Sequence, residues 1–573
     1  MRIRTLFMSM VAGLAFVGCS SEEDITSGNN GGELGEPQFL TVNLVTNSTS
    51  TTRVTGDPNG NSEYEEGLEA ENKVTKVRFY FFDASNDPAH VRNENGVFKN
   101  YLDWEDISED DQDMPNVEKI LSATLIIQSP KGDKEPSQVV AIINPTATPS
   151  DNLSLANLAA TSANYQAYIT SGSFVMSNSA YANNGAEKMA VSVEGKIHKT
   201  SGEALNDPVQ IYVERTIAKV RLNSSLTPIE GKDNIFTTST NGSQTVEIDG
   251  TEKEIYVKFL GWNTTAVSDK SRLVKDIDTA WHTDLFGTAT PWNWAEYFRS
   301  FWAINANGVD FQYGAFAPNA EGTLNADNIF QAQAKKKFDK TEWVYVNENA
   351  TDYANASTGA DPRTPTKVII SAQLVDQNGN SLEFAEYGST RTTINGLKTL
   401  FANNCGLYKK ETVNENGETK TKFVKITPAE LTIKTATEVG EAGKNESGRY
   451  KAYVQLTTDE DNKWYASNNE DATAISAATA NEKLKELGSA KVWKDGYTYY
   501  YFDIKHLGNK IGVVRNHIYD ANITKLTGLG TPVYNPDEII YPEKPIDDEE
   551  TFIAAQINIL SWRIVKNDVE LDW

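Results

Sequence analysis

The last stretch of the chain, residues 551–573, must find a sheet to join. It is rich in β-branched and aromatic residues, and its end alternates: Val569, Leu571 and Trp573 on one face, Asp568, Glu570 and Asp572 on the other. An acidic segment, 535–550, precedes it, with prolines at 536, 542 and 545. Clustered carboxylates repel and proline cannot donate to a ladder, so this segment is expected to be an extended tether. A strand hung on a tether at a terminus pairs either with its own domain or with another molecule.

The same period of two recurs along the chain. Residues 39–45 set Leu40, Val42 and Leu44 against Thr41 and Asn43, which predicts a half-buried strand. Val77, Phe79 and Phe81 alternate with Arg78, Tyr80 and Phe82, and 139–144 is a continuous apolar run that stops at Pro145, a fully buried strand. Further strands are expected at 174–178, 209–222, 255–260, 368–374, 449–456, 497–504 and 515–526. Helical signals are sparse: a short helix within 150–169, and one over 469–487 closed by Gly488. Pro228 and Gly231 break the pattern, which places a domain boundary between 223 and 234. A chain of 573 residues has room for two to four domains, here mainly β.

Residues 1–18 form a secretory signal, with Arg2 and Arg4 ahead of an apolar run too short to span a bilayer. The run ends in Phe16-Val17-Gly18-Cys19, which resembles a bacterial lipobox with Cys19 as the lipidated residue, although Phe16 stands where leucine is usual. Ser20 to Asp24 resembles the acidic stretch that sends some Gram-negative lipoproteins to the outer surface. Residues 20–38 read as a flexible stalk. With Cys19 acylated only Cys405 remains, so no internal disulfide is available, and a buried, idle thiol is the commoner state of such a residue. A polar loop follows the strand at 39–45, and Arg53 is the one basic residue between the signal and Lys73. Polar loops of this kind are where proteases cut.

Catalytic and binding chemistry finds little support. The net charge of -26 repels nucleic acid. Five scattered histidines offer no zinc spacing, Glu109, Asp110, Asp111 and Asp113 lack the glycine turn of a calcium loop, and no phosphate loop or nucleophile elbow is present. No metal or cofactor is expected. Arg515, His517 and Asp520 read as an ordinary strand surface, because Asp520 alternates away from His517. A Trp-rich region includes Trp262, and the cluster at 281–302 (Trp281, Trp292, Trp294 and Trp302) suits core packing, the commoner use, or stacking on sugars. The second use keeps a monomeric, surface glycan-binding lipoprotein as the rival to any structural role.

Several stretches together resemble the fimbrillins, shaft subunits of the protease-assembled (type V) pili of Gram-negative anaerobes, closest to the minor-fimbrium type. The most specific stretch runs from Gly512 to Gly530 (GVVRNHIYDANITKLTGLG), with Tyr499-Tyr-Tyr501 upstream. VERTIAKV from Val213, VAIIN from Val140, YFRSFW from Tyr297 and the terminal VELDW from Val569 add to it, while 320–365 aligns poorly. The resemblance implies two tandem transthyretin-like β-sandwich domains with short helices in loops, at 54–228 and 229–534. A lipidated propeptide (19–53) would precede them, and the tether with a donor strand (535–573) would follow.

It further implies a non-enzymatic pilin of the cell-surface fimbrium, with roles in adhesion and biofilm, whose precursor is an outer-membrane lipoprotein. A trypsin-like protease would cut between Arg53 and Val54 and free the strand carrying Leu40, Val42 and Leu44. The emptied groove would take Ile557, Ile559, Trp562, Val569, Leu571 and Trp573 of another copy or a related subunit. Host or bacterial surface receptors are further partners on this reading. A tail that serves only a neighbour is expected to be dispensable for folding of the uncleaved chain.

Overall fold

The computed structural model describes residues 34–46, 64–65, 67–105, 109–110, 119–146, 152–170, 173–178, 181–183, 186–238, 244–248, 250–277, 303–316, 338, 341–350, 365–415, 418–443, 446–506, 510–543, 545 and 562–571. The protein is mainly β, with several sheets and a few short helices.

The first unit is built from β1 (Gln38–Thr46), β3 (Val77–Phe82), β4 (Tyr101–Trp104), β5 (Lys119–Ile127), β6 (Gln138–Ile143), β7 (Met176–Asn178) and β8 (Val209–Arg215). A two-residue strand, β2 (Tyr64–Glu65), and a one-turn helix, α1 (Glu69–Asn72), lie between β1 and β3. The sheet runs β4-β3-β6-β7-β8-β1-β5, then Glu109–Asp110. One core holds Leu40, Val42 and Leu44 together with Phe79, Phe81, Val139, Ala141 and Ile211. Period-two patterning alone accounts for this core, because every second residue of each strand points to it.

The expected strand at 209–222 is two strands. β8 ends at Arg215, and beyond Thr216 the chain continues as β9 (Ile217–Ser224), whose partners belong to a second sheet. The chain therefore crosses between sheets about a dozen residues before the break at Pro228 and Gly231. Both halves are apolar on alternate residues, but the phase shifts from Val209, Ile211 and Val213 to Ala218, Val220 and Leu222, and that shift across Glu214–Thr216 is the mark of the crossing that a single-strand reading passes over.

The second unit is a two-sheet sandwich. One sheet contains β9, β11 (Val344–Asn347), β14 (His517–Leu526) and β15 (Trp562–Leu571), in the order β2-β15-β14-β9-β11. Facing it are β10 (Thr251–Thr265), β12 (Lys367–Val375) and β13 (Tyr497–Asp503). Val220, Leu222, Tyr519, Ala521 and Ile523 of the first meet Trp262, Ile370, Leu374 and Tyr500 of the second in one core. Trp262 is fully buried there; the tryptophans at 281, 292, 294 and 302 lie outside the described residues.

Within 229–534 the chain also builds a further layer with its own core. Its sheet comprises Phe384–Tyr387, Thr390–Thr392, Leu431–Thr435, Lys451–Leu456 and Ala490–Trp493. It is packed with two helices, Ile394–Asn404 and Ala477–Lys485. The second of these starts later than the expected 469, because Ser476 caps it and Ala474–Ile475 pairs as a strand. Cys405 is buried at the end of the first helix, and burial pushes its thiol up, as suits an unreactive side chain.

The expected extended tether is a correction as well, since much of 535–550 is docked. Ile539–Ile540 pairs with Gly314–Ala315, and Tyr541 packs on Tyr313 with ring centroids 4.6 Å apart. The Glu543 carboxylate accepts from the backbone N–H of Gly448 (2.6 Å) and Tyr450 (3.0 Å). Three apolar side chains in a row among the acidic ones, Ile539, Ile540 and Tyr541, give this segment a reason to pack.

Candidate functional site

β1 lies between two neighbours rather than at an edge. It pairs antiparallel with β5 over nine positions, from Gln38↔Ile127 to Thr46↔Lys119, and parallel with β8 over five, from Val42↔Val209 to Thr46↔Val213. Paired residues share a face, so Leu40 stands against Leu125, Val42 against Ala123 and Val209, and Leu44 against Leu121 and Ile211. Leu40, Val42 and Leu44 have no exposed surface. Their burial stabilises the strand by roughly 1.5–3 kcal/mol each.

The opposite face of β1 carries Thr41 and Asn43, and a short helix, Ser201–Asn206, packs near the strand. Thr41 and Thr124 join their hydroxyls at 3.0 Å, and the Ser122 hydroxyl donates to Asn43 Oδ1 at 2.8 Å. The start of the strand is pinned by two backbone bonds with His198, 2.7 and 2.8 Å from Phe39, and by Gly35 N–H on the Ser129 carbonyl at 3.0 Å. Without β1, the inward edges of β5 and β8 lose their ladder and an apolar trough opens between them. Such a gap is costly in water, because unpaired backbone groups and bare apolar side chains sit side by side.

The counterpart is at the other end of the chain. β15 pairs parallel with β14, from Arg563↔His517 to Leu571↔Leu526, with a bulge between Ile523 and Lys525. Among the described residues its other edge meets only β2, at Tyr64↔Arg563 and Glu65↔Trp562. Val565, Asn567, Val569 and Leu571 pair with Tyr519, Ala521, Ile523 and Leu526. The tail strand is thus seated on its own subunit, on the edge of β14, a place that the expectation of a tail serving only a neighbour did not include.

β1 and β15 lie in different sheets, and each runs parallel to an inner strand of its unit, β1 beside β8 and β15 beside β14. Of the other expected site residues, Trp562, Val569 and Leu571 lie on β15. Cys19, Arg53, Val54, Ile557, Ile559 and Trp573 lie outside the described residues.

The junction between the two units carries buried charge that the sequence reading missed. Arg515 is fully buried and pairs with Glu348 at 3.0 Å, while its guanidinium also donates to the Leu273 carbonyl at 2.9 Å. Asp520 pairs with Arg221 at 3.2 Å, and His517 Nδ1 lies 2.6 Å from the Arg515 carbonyl. Reading Arg515, His517 and Asp520 as a strand surface is therefore corrected; all three are interior. Lys275 pairs with Glu214 at 2.8 Å and Lys219 with Glu71 at 2.6 Å, again buried. The one available signal was a charged residue inside an apolar strand run, as with Glu214, Lys219 and Arg221. Among the described residues no group of three or more His, Cys, Asp or Glu can hold a metal ion, and no helix is long and apolar enough to cross a membrane.

Residues 491–568 match the family model for the major fimbrial subunit protein type IV, fimbrillin, C-terminal region. The resemblance read from the sequence is thus found over the part of the chain holding β13, β14 and most of β15. No curated protein matches the chain. Solved structures similar to it include a fimbrilin from Porphyromonas gingivalis, at 13% identity over 93% of this chain and 97% of that one, TM-score 0.33. Two others are a fimbrial assembly protein from Parabacteroides distasonis (9%, 68% and 95%, TM-score 0.27) and a C-terminally truncated tip fimbrial protein from Porphyromonas gingivalis (12%, 67% and 100%, TM-score 0.22). Superposition at this level is too loose to carry residue roles from one chain to another.

Proposed function

From a C-terminal region that matches the fimbrillin model, we propose that this chain is a structural subunit of a cell-surface fimbrium and joins its neighbours by strand exchange. The precursor is exported, lipidated at Cys19 and held at the outer membrane. A trypsin-like protease cuts between Arg53 and Val54, β1 departs, and the trough between β8 and β5 takes the tail of another copy or a related subunit. No catalytic role is part of this reading.

The observation that supports it best is the placement of the two terminal strands. β1 sits between two partners, yet it is the first strand described and belongs to a segment that one cut in the following loop would release. β15 lies near an edge, with nine partners on β14 and two on β2, whereas the trough left by β1 offers nine on β5 and five on β8. Moving β15 from its home to a neighbour's trough keeps its polarity, parallel to one inner strand, and adds a long second ladder. Before cleavage, β1 competes for the trough at an effective concentration of order mM or more, and cleavage removes that advantage.

The test is Arg53→Ala. The variant is expected to be exported and folded, with the melting temperature of the intact precursor, and to remain monomeric when the wild type, given the same protease, forms polymer. Normal polymer from Arg53→Ala would show that cleavage there is not the trigger.

A further inference from the structure

We propose that β2 is a clasp that holds the C-terminal strand on its own subunit until a neighbour's trough is offered; the inference rests on reading β15 as the exchanged strand. β2 covers the outer edge of β15 at its beginning only, at Trp562 and Arg563. Beyond Arg563, β14 is the sole ladder partner of β15 among the described residues, and past the bulge at Ile523 and Lys525 only Glu570 and Leu571 remain paired.

The clasp is mounted on a rigid base. Arg215 Nε donates to the Glu71 carbonyl at 3.1 Å, its Nη2 donates to Asn72 Oδ1, and Asn72 Nδ2 donates to the Gly67 carbonyl at 3.1 Å. The Glu71 carboxylate pairs with Lys219 at 2.6 Å, accepts the Leu68 N–H at 2.9 Å and accepts the Tyr345 hydroxyl. Gly67 packs closely on this base, since a Cβ there would lie 2.5 Å from Arg215 Nη2. Residues 67–72 are therefore fastened at once to β8, which borders β1, and to β9, which borders β14. β2 hangs two residues ahead of this base, and a cut between Arg53 and Val54 leaves it on the mature chain.

The placement gives exchange a direction. The clasp secures the tether end of β15, so the opposite end, Val569 to Leu571, frays first. Those residues belong to the apolar triplet at spacing two that a trough lined by Leu121, Ala123 and Ile211 accepts. The tail can then engage a neighbour before it has fully left home, and release of β2 is the last step. Losing a two-residue ladder is expected to change opening roughly 5- to 30-fold.

Tyr64→Pro removes an N–H from the clasp and leaves β14 untouched. In the full-length precursor it is expected to speed amide hydrogen exchange at 562–565 roughly 5- to 30-fold, and in the protease-treated protein to speed joining by a similar factor. Unchanged exchange and unchanged joining would overturn the clasp. As a second variant, Tyr64→Cys with Arg563→Cys places a disulfide across a facing antiparallel pair, where Cα atoms lie about 4.5–5.5 Å apart. The oxidised form is expected not to join and the reduced form to join; oxidised protein that joins as fast as reduced, or a disulfide that never forms, contradicts the pairing. If no protein joins, wild type included, while Tyr64→Pro still raises exchange at 562–565, the clasp stands and the strand-exchange reading of β15 falls.

Discussion

Deleting residues 569–573 is expected to abolish joining of processed subunits while lowering the melting temperature of the uncleaved precursor by only a few degrees. The two effects differ because the two sites differ. At home the deletion removes three ladder positions, Val569, Glu570 and Leu571, around and beyond the bulge at Ile523 and Lys525. Net backbone hydrogen bonds there contribute about 1 kcal/mol each. In a neighbour's trough the same deletion removes Val569, Leu571 and Trp573 from positions like those of Leu40, Val42 and Leu44, all fully buried. Roughly 5–8 kcal/mol is lost at full burial, which at about 1.4 kcal/mol per decade weakens the joint by more than roughly a thousandfold. Differential scanning of the precursor and gel filtration of the processed protein measure the two halves. A truncated precursor that fails to fold would make β15 part of the subunit's own core, and truncated subunits that still polymerise would remove the tail from the joint.

Glu71→Gln is expected to cost about 3–5 kcal/mol at neutral pH, because it removes the carboxylate that pairs with the buried, charged Lys219. For a unit of this size that is a fall of roughly 5–15 °C in melting temperature. The effect has a pH signature. Burial alone would raise the Glu71 carboxyl, but the Lys219 ammonium and the hydrogen bonds from Lys219 and Tyr345 outweigh it and hold the group below its ordinary value of 4.5. A carboxyl lowered on folding adds stability at pH above the unfolded value, and that stability is lost as pH falls through the folded one. The gap between wild type and variant is therefore expected to be full at pH 7 and to close in acid below about pH 4.5. A gap that stays constant from pH 7 to pH 3 would mean that the charge of Glu71 is not what stabilises the junction.

Much of the sheet structure is legible because strand burial and period-two patterning are the same fact. Leu40, Val42 and Leu44, the run at 139–144 and the strand at 515–526 were each readable from side-chain type alone, and all are strands. The places where the reading fell short share one cause: partner identity is not local. Residues 209–222 look like one strand because β8 and β9 are both apolar on alternate residues, although they serve different sheets. Arg515 looks like a surface residue until Glu348, distant in sequence, arrives to pair with it. The acidic segment looks like a free tether because the strand that Ile539 and Ile540 join, Gly314–Ala315, carries no pattern of its own. For the candidate site, the two terminal strands were visible as strands, but nothing in their sequence told that β15 has a seat on β14 or that β2 touches it.

The central claim is that the assembled form has lost β1 and filled its place with another subunit's tail. N-terminal sequencing of washed polymer tests it most directly. Chains that begin at Val54, with no peptide from 38–46 retained, are the predicted result. Polymer whose chains begin at an acylated Cys19, with β1 still in its seat between β8 and β5, would contradict it.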